Sequence, residues 1–325
     1  MKNEKIGVVV IGRNEGSRLI LCLDSILKVN VPCVYIDSQS TDSSIHEAEK
    51  RNIKNLVLDK SAPVNASRAR NTGFKLLIEN YSTIEYVHFI DADCELHSDW
   101  LKHAVAALDE VDNRAVVCGR LHEKDKDKNI YTRLCDIDWY VPPGDINACG
   151  GISTIKRQVF EEMQGFDESL IAGADPELYF RISQAGYDLY CLSVDMGTHD
   201  SNMQHFSQYW NRSVKTGYGY AHNKYQWGGW DRQYKSAMVW GGAIPSVILL
   251  GVLSGYFYTV LALIVYPLQI IRIFLQPFKM NLKNKDKLIY ASFCVLGKFS
   301  EFRGIIRYYW VSFLKKEQSI IEYKK

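Results

Sequence analysis

Short apolar runs alternate with amphipathic segments over the first 90 residues of the chain. Ile6–Ile11 is a continuous run of mostly β-branched residues, which is typical of a strand buried on both faces. Ser17–Leu27 then places its apolar residues at helical spacing. The pattern predicts strands at Ile6–Ile11, Val31–Ile36, Leu56–Leu58 and Tyr86–Ile90, and helices at Ser17–Leu27, Ser43–Arg51 and Ala66–Ile78. This order predicts an α/β fold with a mostly parallel sheet flanked by helices.

Polar residues follow three of these strands, at the edge where open α/β sheets bind ligands. The three segments are Gly12-Arg13-Asn14-Glu15, Asp37-Ser38-Gln39-Ser40-Thr41-Asp42 and Asp91-Ala92-Asp93. Neighbouring carboxylates repel one another unless a cation or a hydrogen-bonding ligand lies between them. No glycine-rich phosphate loop follows the first strand, so a bound nucleotide would need a metal at its phosphates. The carboxylates predict Mg²⁺ or Mn²⁺ for that role.

These segments occur in a fixed order with three further motifs. Ala69-Arg70-Asn71-Thr72-Gly73 opens the third helix, Gly165-Phe166-Asp167-Glu168 lies in the second half, and Gly173-Ala174-Asp175-Pro176-Glu177-Leu178 follows it. In this combination, over about residues 6–220, the chain resembles a family 2 glycosyltransferase with the GT-A fold. The resemblance extends to bacterial cell-surface and exopolysaccharide enzymes that carry a membrane-associated carboxyl-terminal segment.

The resemblance implies a site for a nucleotide sugar, UDP-linked as the first choice. Glu15 and Asp37 are expected to bind the nucleoside, since carboxylates accept hydrogen bonds from uracil and ribose. Asp93 is expected to ligate the metal, which stabilises the diphosphate as a leaving group. His199 is a candidate second metal ligand. The remaining expected donor-binding residues are Gly12, Asn14, Ser38, Arg68, Arg70, Asp91 and Ala92.

The second half of the resembling region is expected to bind the acceptor. Asp175 lies where the family carries its catalytic base, and Glu177 is the second candidate. Ala174 replaces the acid that commonly precedes the base, which departs from the family pattern. Asn147–Ile155 is predicted to be a strand, in which Gly150 and Gly151 would let a sugar approach the backbone. Candidate contacts to a sugar and to the diphosphate are Trp210 and Arg212.

Two alternatives remain open at this point. Sugar-phosphate nucleotidyltransferases have a related fold, but they carry a glycine- and arginine-rich loop after the first strand, which this sequence lacks. A non-catalytic scaffold on a degenerate transferase fold is the other alternative. The carboxylates at 37, 91, 93 and 175 argue against it.

Charge and hydrophobicity divide the chain into three parts. Arg272–Lys325 holds 12 basic and 4 acidic residues, a charge of +8, and the preceding part carries −6. Residues 236–271 contain no charged residue or histidine. We therefore predict a GT-A domain at 1–235, a membrane segment at 236–271 and a basic amphipathic tail at 272–325. The near-zero net charge of +2 gives no support for nucleic-acid binding, and the eight cysteines are expected to be buried apolar residues.

The uncharged segment is too long for one upright span, at about 54 Å as a straight helix against a hydrocarbon core of about 30 Å. Basic residues flank it on both sides, at Arg232, Lys235, Arg272, Lys279 and Lys283. Both ends therefore favour the cytoplasm, which predicts a hairpin with a turn near Ser254-Gly255. A single tilted span and a buried helical pair are the alternatives.

Basic and aromatic residues mix over Leu288–Leu314, which suggests a helix at the membrane interface, with core packing as the competing interpretation. Lipid contacts are thus expected through 236–314. The amino terminus does not resemble a secretory signal. The sequence predicts an enzyme at the inner face of the cytoplasmic membrane with a cytosolic catalytic domain. Its expected acceptor is a glycan, free or linked to polyprenyl diphosphate.

Overall fold

Strand β1 (Ile6–Gly12) is buried along nearly its whole length, as its apolar run predicts. The computed structural model describes residues 5–227, 231–278 and 280–314, without the side chains of 224–227 and 231. In it, β1 pairs in parallel with β2 (Cys33–Asp37) on one side and with β4 (Tyr86–Asp91) on the other. Gly12 lies opposite Asp37, and Ile11 opposite Asp91. The register therefore brings the polar strand ends to one edge of the sheet.

The remaining strands extend this sheet in both directions. β3 (Lys54–Val57) joins β2 in parallel, and β8 (Ser153–Lys156) joins β4 antiparallel. Beyond β8 the order is β6, β9, β5, and β7 pairs with β9. These strands are β5 (Cys94–Leu96), β6 (Arg114–Glu123), β7 (Gly144–Ile146) and β9 (Asp188–His199). The fold is mixed α/β with a parallel first half, which confirms the predicted fold class.

Helices connect the strands, and their apolar faces cover the sheet. The buried face of α1 (Ser17–Val29) consists of Leu19, Cys22, Leu23 and Ile26. Asn65 begins α3 (Ala66–Asn80), since its side chain accepts a hydrogen bond from the backbone N–H of Arg68. The other helices of this part are α2 (Ser44–Lys50), α4 (Trp100–Glu110), α5 (Ile130–Asp138), α6 (Arg157–Glu162) and α7 (Ala174–Gln184).

The predicted strand over Asn147–Ile155 is wrong for its first six residues. Pairing begins only at Ser153, and residues 147–152 join β7 to β8 without a regular element. The Gly150-Gly151 pair lies in this connection, where glycine offers no side chain to pack on a sheet. The carbonyl of Gly150 instead accepts a hydrogen bond from the Tyr179 hydroxyl at 2.9 Å. The hydrogen bond between Tyr179 and Gly150 thus anchors the connection.

Contacts divide the chain into two compact units. The first comprises residues 1–126 and 138–201, and the second comprises 127–137 and 202–325. This division does not coincide with the predicted boundaries at 235 and 271, because α5 and α8 (Phe206–Trp227) group with the carboxyl-terminal helices. The roles predicted for the three segments stay predictions. Residue 279 and residues 315–325 of the predicted basic tail lie outside the described residues.

The second unit holds two apolar helical segments joined by a turn. Arg232–Leu253 and Phe257–Phe274 are each long and apolar enough to cross a membrane. The first includes α9 (Asp231–Ala237), the π-helical Met238–Ala243 and α10 (Ile244–Leu253), and the second joins the 3₁₀ segment Phe257–Ile264 to α11 (Val265–Phe274). Between them Gly255 adopts φ +82°, which favours glycine. The turn lies where the hairpin interpretation predicts it.

The last helix, α12 (Asn284–Phe313), packs along one face within this unit. Its buried residues are mostly small, and Gly304 leaves no room for a side chain against the backbone of Val214 on α8. Trp310 and Phe313 near its end are 62% and 79% exposed. The competing interpretation of Leu288–Leu314 as a packed helix thus describes its buried face. Lipid contact by its exposed end stays a prediction.

Candidate active site

The end of β2 supplies a buried carboxylate with two internal partners. Asp37 is 1% exposed, and its oxygens accept hydrogen bonds from the Tyr35 hydroxyl at 2.8 Å and from the backbone N–H of Ser40 at 2.7 Å. Burial, together with the Asp37 charge, raises the pKa of Tyr35 and keeps the phenol protonated as the donor. The backbone N–H of Ser38 donates to the carbonyl of Gly12 at 2.9 Å. Asp37 and Ser38 are therefore fixed beside the end of β1.

The loop after β1 is tied to the loop after β2. Asn14, at φ +54°, accepts a hydrogen bond from the backbone N–H of Thr41 at 2.7 Å, and its own N–H donates to Ser40 Oγ at 2.9 Å. Glu15 is 9% exposed and forms an ion pair with Arg18 at 2.7 Å. Arg18 also donates to the carbonyl of Asp200 at 3.2 Å. Arg18 thereby connects the predicted nucleoside site to the end of β9.

Asp93 and His199 lie together, as a shared metal site requires. Oδ2 of Asp93 is 3.2 Å from Nε2 of His199, and both side chains are buried. Nδ1 of His199 lies 2.8 Å from Oε2 of Glu123. Burial lowers the pKa of His199, but the charges of Asp93 and Glu123 outweigh it and raise the pKa to about 9. Two carboxylates thus make the surroundings of this imidazole strongly attractive to a cation.

The donor atoms at this point fit a divalent metal. Asp93, Cys94 and His199 each offer one ligand atom within 4.8 Å of the others. Cys94 Sγ is 3.5 Å from Oδ1 of Asp93. Carboxylate and imidazole suit Mn²⁺, and a carboxylate on the second ring nitrogen is the usual support of a metal-binding histidine. Asp93 and His199 would hold the ion, with Glu123 behind the histidine.

Arg70 bridges two further carboxylates of the predicted site, those of Asp91 and Asp175. Its guanidinium contacts Asp91 Oδ1 at 2.9 Å through Nη2 and Asp175 Oδ1 at 3.2 Å through Nη1. Burial works against the charge of Arg70, but Asp175 and Asp91 outweigh it and raise its pKa. Gly151 lies directly against this group, and a Cβ there would be 2.1 Å from Nη2. The space that the glycine leaves is therefore occupied by Arg70, whereas the sequence predicted that a sugar would approach there.

Glu177, the second candidate for the base, is engaged elsewhere. Its two carboxylate oxygens bind Arg181 at 2.5 and 2.8 Å, and the residue is 2% exposed. Arg181 also donates to the carbonyls of Met163 and Gly165. This pair stabilises the start of α7 against the preceding turn. The geometry favours Asp175 as the base, although its role stays a prediction.

A cavity of about 260 Å³ lies at this edge of the sheet. Its walls include Asp91, Gly150, Gly151 and His199, together with Trp139, which packs edge-on against His199 at 5.0 Å between ring centroids. A larger cavity of about 500 Å³ includes Arg120, Tyr140 and Asp195 in its lining, but no residue that the sequence predicted for the site. The smaller cavity is therefore the candidate active site.

The contacts described for three predicted residues are with other parts of the chain. Arg68 binds the carboxylate of Asp59 and the carbonyls of Asp59 and Ala62, so it organises the loop before α3. Trp210 and Arg212 lie on α8 in the second unit, where Trp210 packs on Phe206 and Arg212 contacts Cys135. Their proposed contacts to a nucleotide or sugar stay predictions. Ala92 follows β4 and donates its N–H to the carbonyl of Ile11.

Sequence reasoning missed Glu123, Trp139 and Cys94. Glu123 ends a ten-residue strand with no motif around it, and only its pairing opposite His199 in the sheet reveals its place. Cys94 directly follows the Asp91-Ala92-Asp93 motif and was expected to be a buried apolar residue. It is fully buried, but it also pairs with His199 across β5 and β9. Adjacency to the motif was the one available signal.

Comparisons with known proteins agree with this fold. The sequence model described as glycosyl transferase family 2 matches residues 7–163, which include the three strand ends and Arg70. No curated protein matches the chain by sequence.

One solved structure shares the architecture at low identity. The mannosyltransferase PcManGT from Pyrobaculum calidifontis, in complex with GDP-Man and Mn²⁺, aligns with TM-score 0.62 and 15% identity over 94% of this chain and 87% of its own. TarS 1–349 from S. aureus aligns with TM-score 0.48 and 15% identity over 96% and 92%. The first likeness establishes the GT-A fold. The family match favours glycosyl transfer over both alternatives, and the chain is a glycosyltransferase whose residues 7–163 match the model of glycosyl transferase family 2.

Proposed function

We propose that the chain transfers a sugar from a nucleotide sugar, UDP-linked as the first choice, to a hydroxyl of a glycan or lipid-linked acceptor in cell-surface polysaccharide synthesis. The observation that carries the proposal is the contact between Asp93 and His199 at 3.2 Å, beside a cavity that Asp91 and His199 both line. Asp93 and His199 are more than 100 positions apart in the sequence, and their convergence supports a cation site at the edge of the sheet where α/β folds bind ligands.

The donor nucleoside is assigned to the loops after β1 and β2. Asp37 and Glu15 offer carboxylates there, and Gly12, Asn14 and Ser38 belong to the same hydrogen-bonded pair of loops. Because these loops are linked to each other by several hydrogen bonds, the site is organised before the donor arrives. A preorganised site loses less conformational entropy when it binds its ligand.

The metal is assigned to Asp93 and His199, as Mn²⁺ or Mg²⁺. When bound, it supplies positive charge to the diphosphate and stabilises it as a leaving group. Glu123 orients His199 through Nδ1, so Nε2 is directed to the side of Asp93. The protein's contribution is to hold these ligands in a buried pocket where the attraction between charges is stronger than in water.

Asp175 is assigned as the base. It would accept the proton of the acceptor hydroxyl while that oxygen forms a bond to the anomeric carbon. The bond from the same carbon to the diphosphate oxygen breaks, and the nucleoside diphosphate leaves with the electron pair. A single displacement of this kind inverts the configuration of the anomeric carbon.

A panel of nucleotide sugars with Mn²⁺ tests this function. We expect the wild-type enzyme to hydrolyse one donor slowly in the absence of an acceptor, and Asp93→Ala to hydrolyse it at least about 100-fold more slowly, since metal-assisted leaving-group stabilisation is lost. Asp99→Ala, an exposed acid outside the site, is the control. Equal rates for wild type and Asp93→Ala would contradict the metal role. Absence of turnover with every donor would contradict the function.

The apolar hairpin is assigned to the membrane, with the catalytic domain at its cytosolic face. Its large apolar residues are exposed, among them Leu253 at 74%, Phe257 at 70% and Leu261 at 76%. A surface of this size and apolarity is unfavourable in water and typical of a lipid or protein contact. A membrane location suits an acceptor that is itself lipid-linked, such as a polyprenyl-diphosphate glycan.

A further inference from the structure

Arg70 occupies an unusual position for a residue expected to bind a nucleotide. Its side chain is 4% exposed, and its two terminal nitrogens bind carboxylates from different parts of the first unit. Asp91 ends β4 on the donor side, whereas Asp175 lies in the first turn of α7. The guanidinium also lies 5.4 Å from the ring centre of Phe166. Protein groups therefore hold Arg70 on several sides.

The glycine at 151 makes this position possible. A Cβ at residue 151 would lie 2.1 Å from Nη2 of Arg70, 2.9 Å from its Cζ and 3.1 Å from Oδ1 of Asp175. No carbon atom tolerates the first of these distances, so any side chain at residue 151 would displace the guanidinium. Gly151 thus leaves room for the guanidinium that bridges the two carboxylates.

We propose that Arg70 is the positioning residue of the transfer reaction, and that Gly151 provides the space it needs. The inference rests on the proposed role of Asp175 as the base. Arg70 holds the Asp175 carboxylate in one orientation, ready to accept a proton. Arg70 also binds Asp91, so its guanidinium contacts both the donor side and the acceptor side of the site.

Electrostatics supports a positioning role. Without Arg70, Asp91 and Asp175 would be two carboxylates near one another, and their mutual repulsion would favour rotation of one of them away from the other. A rotated Asp175 carboxylate is misplaced for the attacking hydroxyl. A displacement of about 1 Å at a reacting group costs roughly 100-fold in rate.

The shape of the arginine side chain matters as well as its charge. The guanidinium presents several N–H donors in a rigid plane, so it contacts both carboxylates at once. A lysine ammonium is a compact point charge on a flexible stem and does not reproduce this bridge. Arg70→Lys should therefore retain the fold and part of the activity, and Arg70→Gln should lose more.

The test separates turnover from nucleotide binding. Arg70→Lys, Arg70→Gln and Gly151→Ala are compared with wild type in hydrolysis of the best donor from the panel, and in calorimetric binding of its nucleoside diphosphate with Mn²⁺. We expect kcat to fall about 100-fold in Gly151→Ala and Arg70→Lys, and further in Arg70→Gln, with Kd changed less than about threefold. Arg114→Gln, which removes a half-buried arginine with ring and carbonyl contacts, should leave kcat near wild type.

Each other outcome has a definite meaning. Loss of nucleoside diphosphate affinity that accounts for the lost turnover would make Arg70 a nucleotide ligand and overturn the proposal. So would an Asp175→Asn variant with full activity, because Arg70 would then have no base to position. A wild type that hydrolyses no donor refutes the proposed function and this inference with it. If Arg70→Gln fails to fold, Arg70→Lys and Gly151→Ala still decide the question.

Discussion

His199 and Glu123 are joined through Nδ1 of the imidazole and Oε2 of the carboxylate, at 2.8 Å. Glu123 is itself held, because its other oxygen accepts hydrogen bonds from the backbone N–H and the hydroxyl of Ser201 at 2.8 and 2.6 Å. A neutral imidazole that donates from Nδ1 to this carboxylate has its lone pair on Nε2, which faces Asp93. The pair therefore selects the tautomer that a metal requires.

Replacement of this carboxylate should weaken metal binding without unfolding the protein. We expect Glu123→Gln to lower the affinity for Mn²⁺ about 10- to 100-fold, the usual effect of losing such a partner of a metal-binding histidine. Titration calorimetry of Mn²⁺ with purified enzyme measures it. Glu85→Gln, at an exposed carboxylate that pairs with Lys5, is the matched control. Unchanged affinity in Glu123→Gln would mean that His199 does not bind the ion.

The two acids at the start of α7 should respond in opposite ways to substitution. Asp175→Asn removes the proposed base and should lower donor turnover by about 100-fold or more, with little change in melting temperature. Glu177→Gln leaves Arg181 without its bidentate partner and should lower the melting temperature clearly. Steady-state kinetics and thermal denaturation on both variants distinguish the roles. Full turnover in Asp175→Asn, with loss of turnover in a folded Glu177→Gln, would reverse the assignment.

The burial of His88 predicts that the free energy of unfolding depends on pH. It is fully buried, 2.9 Å from Thr154 Oγ1, and burial lowers its pKa from 6.5 to about 3. The unfolded chain therefore binds a proton more readily than the folded chain does below pH 6.5. The neutral His88 therefore does not reduce the free energy of unfolding above pH 6.5, but that free energy falls as the pH drops toward 3. The loss amounts to about 2 kcal/mol by pH ~5.

A variant without the titrating group isolates that effect. His88→Gln should show a smaller drop in melting temperature than wild type when the pH is lowered from about 7.5 to about 5. The comparison uses the slopes with pH, because the substitution itself changes the packing around Trp100. Parallel curves for the two proteins would show that His88 does not titrate as its burial implies.

Lysine substitutions on the exposed hairpin should release the protein from membranes. Leu250 and Leu261 are 63% and 76% exposed, and a lysine in a spanning helix costs up to about 3 kcal/mol, the value at the helix centre. We expect Leu250→Lys with Leu261→Lys to shift most of the protein from vesicles to the supernatant on sedimentation. Leu27→Lys, at an exposed leucine on α1 with 45% exposure, is the control. Retention of the double variant on vesicles would contradict the hairpin assignment.

Local sequence patterns predicted the parts of this protein that depend on neighbours along the chain. Strand β1 and helices α1 and α3 follow from apolar periodicity and from the cap at Asn65, since these signals act within a few residues. The polar ends of β1, β2 and β4 were predictable for the same reason. Parallel strands in one sheet place those ends at one edge, so the general position of the site followed without coordinates.

Contacts between distant segments were decided only by the tertiary structure. Glu123 and Cys94 reach His199 because β6 and β5 pair with β9 in a particular register, and Arg70 meets Asp175 because Gly151 leaves the space. Pairing register depends on which side chains the whole sheet buries, and a shift of one residue would turn Glu123 to the other face. No local motif carries that information. Local patterns therefore predict the fold class and the carboxylate-rich edge, whereas the packing of remote strands places Glu123 beside His199 and Arg70 beside Asp175.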